Sequence, residues 1–128
     1  MTSRDYYRLL LQLVTTTTVV TSHWIEFDEQ DIYAAYLKGS LDLVDGSNLF
    51  SAQYVRIEGP GRDQISREKY RYHRQAFTGE TRYRWDNARH HAELATFPDH
   101  VHVGPDEEAR ESGPTDLWRI MGLIEQAI

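Results

Sequence analysis

The chain has 128 residues, 40% hydrophobic and 27% charged, with a net charge of −6 and no cysteine. That is enough apolar material for one core and too much for a disordered chain, so a single domain over residues 1–128 is expected. The composition excludes disulfides, thiolate metal sites and cysteine nucleophiles, and no apolar run approaches the roughly 20 residues of a membrane span.

Thr2 and Asp5 stand at capping-box spacing, and Tyr6, Leu9, Leu10, Leu13 and Val14 recur at helical spacing. A first helix from Ser3 to Val14 is predicted. Gln12 breaks its apolar block and no small-residue cleavage site follows, so the segment does not read as a secretory signal and a cytoplasmic location is expected. The β-branched run Thr15 to Val20 favours strand over helix, predicting a first strand from Val20 to Phe27 with its turn at Asp28 to Asp31. Leu37, Leu41 and Leu43 alternate with Lys38, Ser40 and Asp42, which marks a second, half-buried strand. Asp45-Gly46 predicts a tight hairpin turn with φ > 0 at both positions. A third strand follows from Asn48 to Glu58, closed by Gly59-Pro60-Gly61.

Glu68 to Phe77 and Thr81 to Asp86 read as two further strands around a two-residue Thr78-Gly79 loop. That turn sets Arg71 opposite Asp86 as a salt bridge, His73 opposite Arg84, and Tyr72 opposite Trp85 on the other face. Beyond Trp85 the periodicity is lost until Thr115, which is predicted to cap a last helix carrying Leu117, Ile120, Met121, Ile124 and Ile128. The acidic stretch 104–114 is expected to be flexible. The fold reading is α+β, an antiparallel meander of about five strands with the N- and C-terminal helices packed on one face.

Five of the six histidines fall between His73 and His102, and four of those (His90, His91, His100, His102) lie in the long aperiodic segment. An unstructured loop has no packing need for them, whereas the isolated His23 reads as an ordinary surface residue. In an extended His-Val-His both rings point to one side, while adjacent His90 and His91 cannot both face one centre. Residues 62–89 also carry eight Lys/Arg against four acids, a basic stretch in an acidic chain that could focus a field toward phosphate.

Two chemistries suit these residues. Histidines can serve as general base and acid on a phosphodiester without a cofactor, with Arg84 neutralising the phosphoryl group, Asp86 orienting a ring, and Arg71, Arg82 and Tyr70 holding the substrate. Alternatively, His100, His102 and His90 hold zinc or another divalent metal, with Asp86 beside it. No G-x-S-x-G elbow, Walker loop or helix-turn-helix appears.

The runs YRYH (Tyr70 to His73), RWDNARHH (Arg84 to His91) and TFPDHVHVG (Thr96 to Gly104) resemble the TumE-like family of small bacterial and archaeal proteins. The resemblance implies a toxin of a toxin–antitoxin pair with an antitoxin partner. By analogy with other small toxins, the expected activity is a metal-independent endoribonuclease that uses His73, His90, His91, His100 and His102 as its acid–base pool. A non-catalytic module binding RNA or protein is the alternative, and a homo-oligomer is compatible with either; no membrane partner is expected.

Overall fold

The computed structural model describes residues 1–128. Helix α1 (Ser3–Thr16) leads into seven strands, β1 (Val20–Asp31), β2 (Ala34–Leu43), β3 (Asn48–Glu58), β4 (Gln64–Gln75), β5 (Thr81–Asp86), β6 (His100–Val103) and β7 (Glu108–Glu111), and helix α2 (Leu117–Ala127) ends the fold. The strands form one antiparallel sheet in chain order, so each hairpin pairs only sequence neighbours. The sheet has seven strands, not the expected five. The additional pair, β6 and β7, comes from the segment where the sequence shows no long alternation. Each of these strands is only four residues, too short to produce a periodic signal. Part of stretch 104–114 is thus strand β7.

The capping box forms as expected, Thr2 N–H donating to Asp5 Oδ2 at 2.8 Å and Asp5 N–H donating to Thr2 Oγ1 at 3.2 Å. The helix nevertheless runs on through Thr16. Thr15 and Thr16 bond their hydroxyls back to the carbonyls of Leu11 and Gln12, which lets β-branched residues sit in a last turn. Strand β1 continues through the acidic residues expected to turn, and the reversal falls at Ile32-Tyr33. The Asp45-Gly46 hairpin is wider than expected. Four residues link β2 to β3, only Gly46 has positive φ (84°), and Asp45 instead accepts from the backbone and hydroxyl of Ser47. The last helix is capped by Asp116, whose carboxylate accepts from Arg119 N–H at 2.9 Å, and not by Thr115.

Both helices pack on one sheet face. Tyr6, Leu10 and Val14 of α1 and Leu117, Ile120, Met121 and Ile124 of α2 meet Leu37, Leu41, Leu49, Val55, Ile57 and Tyr72 in one core. Tyr6 and Trp118 touch edge to face at 5.7 Å, joining the two helices. At the centre, the buried Gln53 carbonyl accepts from the hydroxyls of Tyr6 and Tyr72 at 2.8 and 3.0 Å. No helix is long and apolar enough to cross a membrane.

The other face carries no helix. Across it, cross-strand pairing aligns Lys38, Ala52, Arg71, Asp86 and His100 in one row, with Ser40, Phe50, His73, Arg84 and His102 in the next. The register predicted from the Thr78-Gly79 turn is therefore correct from Arg71 to Arg74. It slips at Gln75, which pairs with Thr81, because the loop takes in more than two residues.

Candidate functional site

Residues 87–99 leave β5 and return as β6 along the same strand edge. Asn87 directs the exit: its carbonyl accepts from Tyr70 N–H at 3.0 Å and its amide donates to Glu68 O at 3.0 Å, filling the break in the ladder beside the β4 bulge. Thr96 closes the segment, donating to Asp99 O at 2.7 Å and accepting from Ser112 N–H at 3.1 Å. The segment walls a cleft of about 670 Å³ whose lining includes Tyr36, Ala52, Tyr54, Lys69, Arg71, Asp86, His90, His91 and His102. Ala52, the one small side chain in its row, leaves the floor open between Lys38 and Arg71.

Three imidazoles gather at one end. Ring centroids lie 4.9 Å apart for His100 and His102, 5.2 Å for His91 and His100, and 5.4 Å for His91 and His102. One ring nitrogen from each lies within 4.8 Å of the others. His100 and His102 are placed by strand alternation, and both are buried. His91 reaches them from the loop with its own backbone at φ 57°, in the left-handed region that few residues besides glycine occupy and that Asn, Asp and His enter most readily among them.

Every Nδ1 of the trio faces an oxygen. His100 Nδ1 lies 2.9 Å from Pro98 O, His102 Nδ1 lies 2.9 Å from Glu107 O, and His91 Nδ1 lies 3.2 Å from Glu93 Oε1. Carbonyl and carboxylate oxygens only accept, so each Nδ1 carries the proton and, in the neutral ring, each Nε2 keeps its lone pair. His100 Nε2 is buried without a hydrogen bond. Asp86 Oδ1 stands only 2.9 Å from it, yet off the line an N–H would take, and Asp86 Oδ2 is 4.0 Å from His102 Nε2. Three imidazoles whose Nδ1 atoms are already engaged, beside a carboxylate, make a donor set that first-row divalent metals accept.

The expected site residues are sorted by this geometry. His91, His100, His102 and Asp86 converge. His91, not His90, completes the trio; the His90 ring projects into the cleft mouth, exposed and with no hydrogen bond. His73 stays apart, its Nε2 2.8 Å from Thr81 Oγ1, and burial together with Arg71 and Arg84 lowers its pKa. Arg84 is engaged by carboxylates, donating to Glu107 Oε1 at 2.6 Å with Asp86 Oδ2 3.5 Å from its Nε. The predicted Arg71–Asp86 salt bridge does not form, because Asp86 is taken up by Arg84 and the Ala88 N–H. Arg71 is left exposed in the cleft beside Lys69, neither in an ion pair. Arg82 is tied to Asp45 at 3.0 Å and does not line the cleft. Tyr70 is buried, with its hydroxyl on Asp99 at 2.7 Å.

Sequence reasoning missed Glu107, Lys69 and the tilted Tyr36–Tyr54 pair, whose ring centroids are 4.6 Å apart. Asn87 and Asp99 stand inside the quoted motifs and could have been found there. Glu107, in the acidic stretch assigned to a flexible linker, gave no such signal.

The same motif-bearing segment falls within the match to known families: a family model described as Toxin TumE covers residues 8–128. The chain belongs to the TumE toxin family. It is thereby a toxin of a toxin–antitoxin system, with an antitoxin as the implied partner. No curated protein and no solved structure matched this TumE-family chain.

Proposed function

We propose that this TumE-family toxin is an endoribonuclease that cuts single-stranded RNA in the cleft. The observation that carries the reading is the alignment of the open sheet face. Exposed Tyr36 beside Tyr54, and the unpaired cations Lys69 and Arg71, lead across Ala52 to the histidine cluster. Aromatic faces stack bases without regard to sequence, and unpaired cations hold backbone phosphates. In the reaction, the ribose 2′-oxygen forms a bond to phosphorus as the bond to the 5′-oxygen breaks. The 2′-OH proton passes to the free His90 ring, and the departing 5′-oxygen takes a proton from water at the open mouth. Arg84 serves here as a positioning residue, holding Asp86 and Glu107, and not as the phosphate ligand.

The test is incubation of purified protein with end-labelled RNA and with the all-deoxy oligomer of the same sequence. Expected are RNA fragments ending in a 2′,3′-cyclic phosphate and an intact deoxy strand. His90→Ala should slow cleavage by roughly 10²–10⁴-fold. Tight, salt-sensitive binding of RNA without turnover would overturn the reading in favour of a non-catalytic binding module.

A further inference from the structure

We infer that His91, His100 and His102 bind one divalent transition-metal ion of the zinc class through their Nε2 atoms, with the Asp86 carboxylate as fourth or adjacent oxygen donor. The inference rests on the preceding reading for what the ion would do at the cleft, and not for whether it binds.

Three independent features point the same way. The donors are gathered: one ring nitrogen from each histidine falls within 4.8 Å of the other two. Zinc–imidazole bonds of about 2.0–2.1 Å put tetrahedral ligand nitrogens about 3.3 Å apart, so enclosing the ion draws the trio together by up to about 1.5 Å. The tautomers are fixed: all three Nδ1 atoms donate to oxygens (Pro98 O, Glu107 O and Glu93 Oε1), the arrangement that turns an imidazole's other nitrogen toward a metal and raises its basicity. Finally, one donor has no other use. His100 Nε2 is sealed from solvent and makes no hydrogen bond, while a carboxylate oxygen sits 2.9 Å to its side. A lone pair and a carboxylate oxygen at that separation repel unless a cation lies between them.

The ligand set differs from the one expected from sequence, with His91 in place of His90. That exchange follows from the turn at His91, whose positive φ swings its ring inward and leaves the His90 ring outside. It also separates two tasks: three histidines hold the ion and the fourth stays free to carry a proton. His91 and His102 line the cleft together with Arg71, so an ion held there would stand on the cleft side of the cluster.

The experiment uses the full chain without a histidine tag. Protein stripped with chelator is incubated with Zn²⁺, desalted and analysed for metal, and its melting is followed with and without Zn²⁺. Expected are one ion per chain, a melting temperature raised by roughly 10 °C at hundredfold excess over Kd, and, with Co²⁺, the visible absorption of tetrahedral ligation. His100→Ala risks unfolding a buried position, so His91→Ala, at a residue one third exposed, is the decisive variant. It should melt like stripped wild type yet bind Zn²⁺ at least tenfold more weakly, and Glu93→Gln, which alters only the anchor, should bind more weakly by about tenfold. Absence of bound metal, or equal binding by His91→Ala, overturns the site. If metal is absent and RNA is still cut in chelator, the nuclease reading stands and this one falls. If one ion binds and no RNA is cut, the reverse holds.

Discussion

Gln53 shows how one polar side chain can order a core. Its carbonyl takes both buried phenol protons, from Tyr6 on the helix and Tyr72 on the sheet. Replacing it with Leu keeps the volume and strands two hydroxyls away from water. Gln53→Leu is expected to cost about 3 kcal/mol and to lower the melting temperature by roughly 10 °C, measured by thermal unfolding. Tyr72→Phe, which removes one bond and orphans nothing of its own, should cost about 1 kcal/mol. Asp45 sets a pH dependence. The Ser47 hydroxyl first, then the guanidinium groups of Arg82 and Arg74, hold its carboxyl well below the usual carboxylate range. The folded state therefore favours the ionised form. The stabilisation is complete above the unfolded pKa of about 3.9 and is lost as pH falls below it. Asp45→Asn should be less stable at pH 7 and should lose less stability than wild type between pH 5 and pH 3, as read from urea midpoints. Such contacts, between residues 29 apart in sequence for Asp45 and Arg74, leave no mark on local pattern.

Strands with a long alternation were legible because burial writes itself into them at period two. The bounds of β3 and β5, the pairing of Tyr72 with Trp85 and the cap of α1 all follow from local residues. The cap of α2 did not, because Thr115 and Asp116 are both good caps and only the chain's entry angle chooses between them. Asp116→Ala is expected to cost about 1 kcal/mol and Thr115→Ala less than about 0.5 kcal/mol by chemical denaturation. The β1–β2 pair has a tight spot that sequence reading passed over. At Gly39 an added Cβ would stand 2.7 Å from the Trp24 carbonyl oxygen, which is backbone and cannot swing aside. Gly39→Ala should destabilise by about 2 kcal/mol or more, with the loss seen first as faster amide exchange in β1. The short strands β6 and β7 escaped notice for the opposite reason. They are held by the turn at Gly104 and by Arg84 reaching Glu107, not by an apolar face of their own.

The whole molecule divides its labours between two faces. Helices and core occupy one, leaving charged groups and the histidine cluster on the other. The sequence singled out the segment in which His91, His100 and His102 come together, and it also drew in His73, which the fold keeps apart on Thr81. It named Arg71 among the cations that face them but passed over Lys69, and it gave the phosphate to Arg84, which the fold ties to Asp86 and to the distant Glu107. Lys38, Lys69 and Arg71 have no ion pair, and their shared face gives a chain of net charge −6 a local means of holding an anion. Three such phosphate contacts predict a log–log salt slope of about −2 for single-stranded RNA binding. Removing Arg71 as Arg71→Ala should make that slope shallower by about 0.7, measured by fluorescence anisotropy at several salt concentrations. Both sheet edges carry charged side chains, Glu26, Asp28, Glu29 and Asp31 in the second half of β1 and Glu108, Arg110 and Glu111 on β7, which disfavours edge-to-edge aggregation.

The order of strands in space is also their order of synthesis, since every hairpin joins neighbours in the chain. A ribosome adding about 5–20 residues per second can let the early hairpins close while later ones are still unmade. The cluster belongs to the late part. Asp86 arrives with β5, the loop supplies His91, and the anchor for His102 is the carbonyl of Glu107. A nascent chain stalled before that residue carries six of the seven strands but not the anchor of His102, so the cluster is complete only once β7 begins to form.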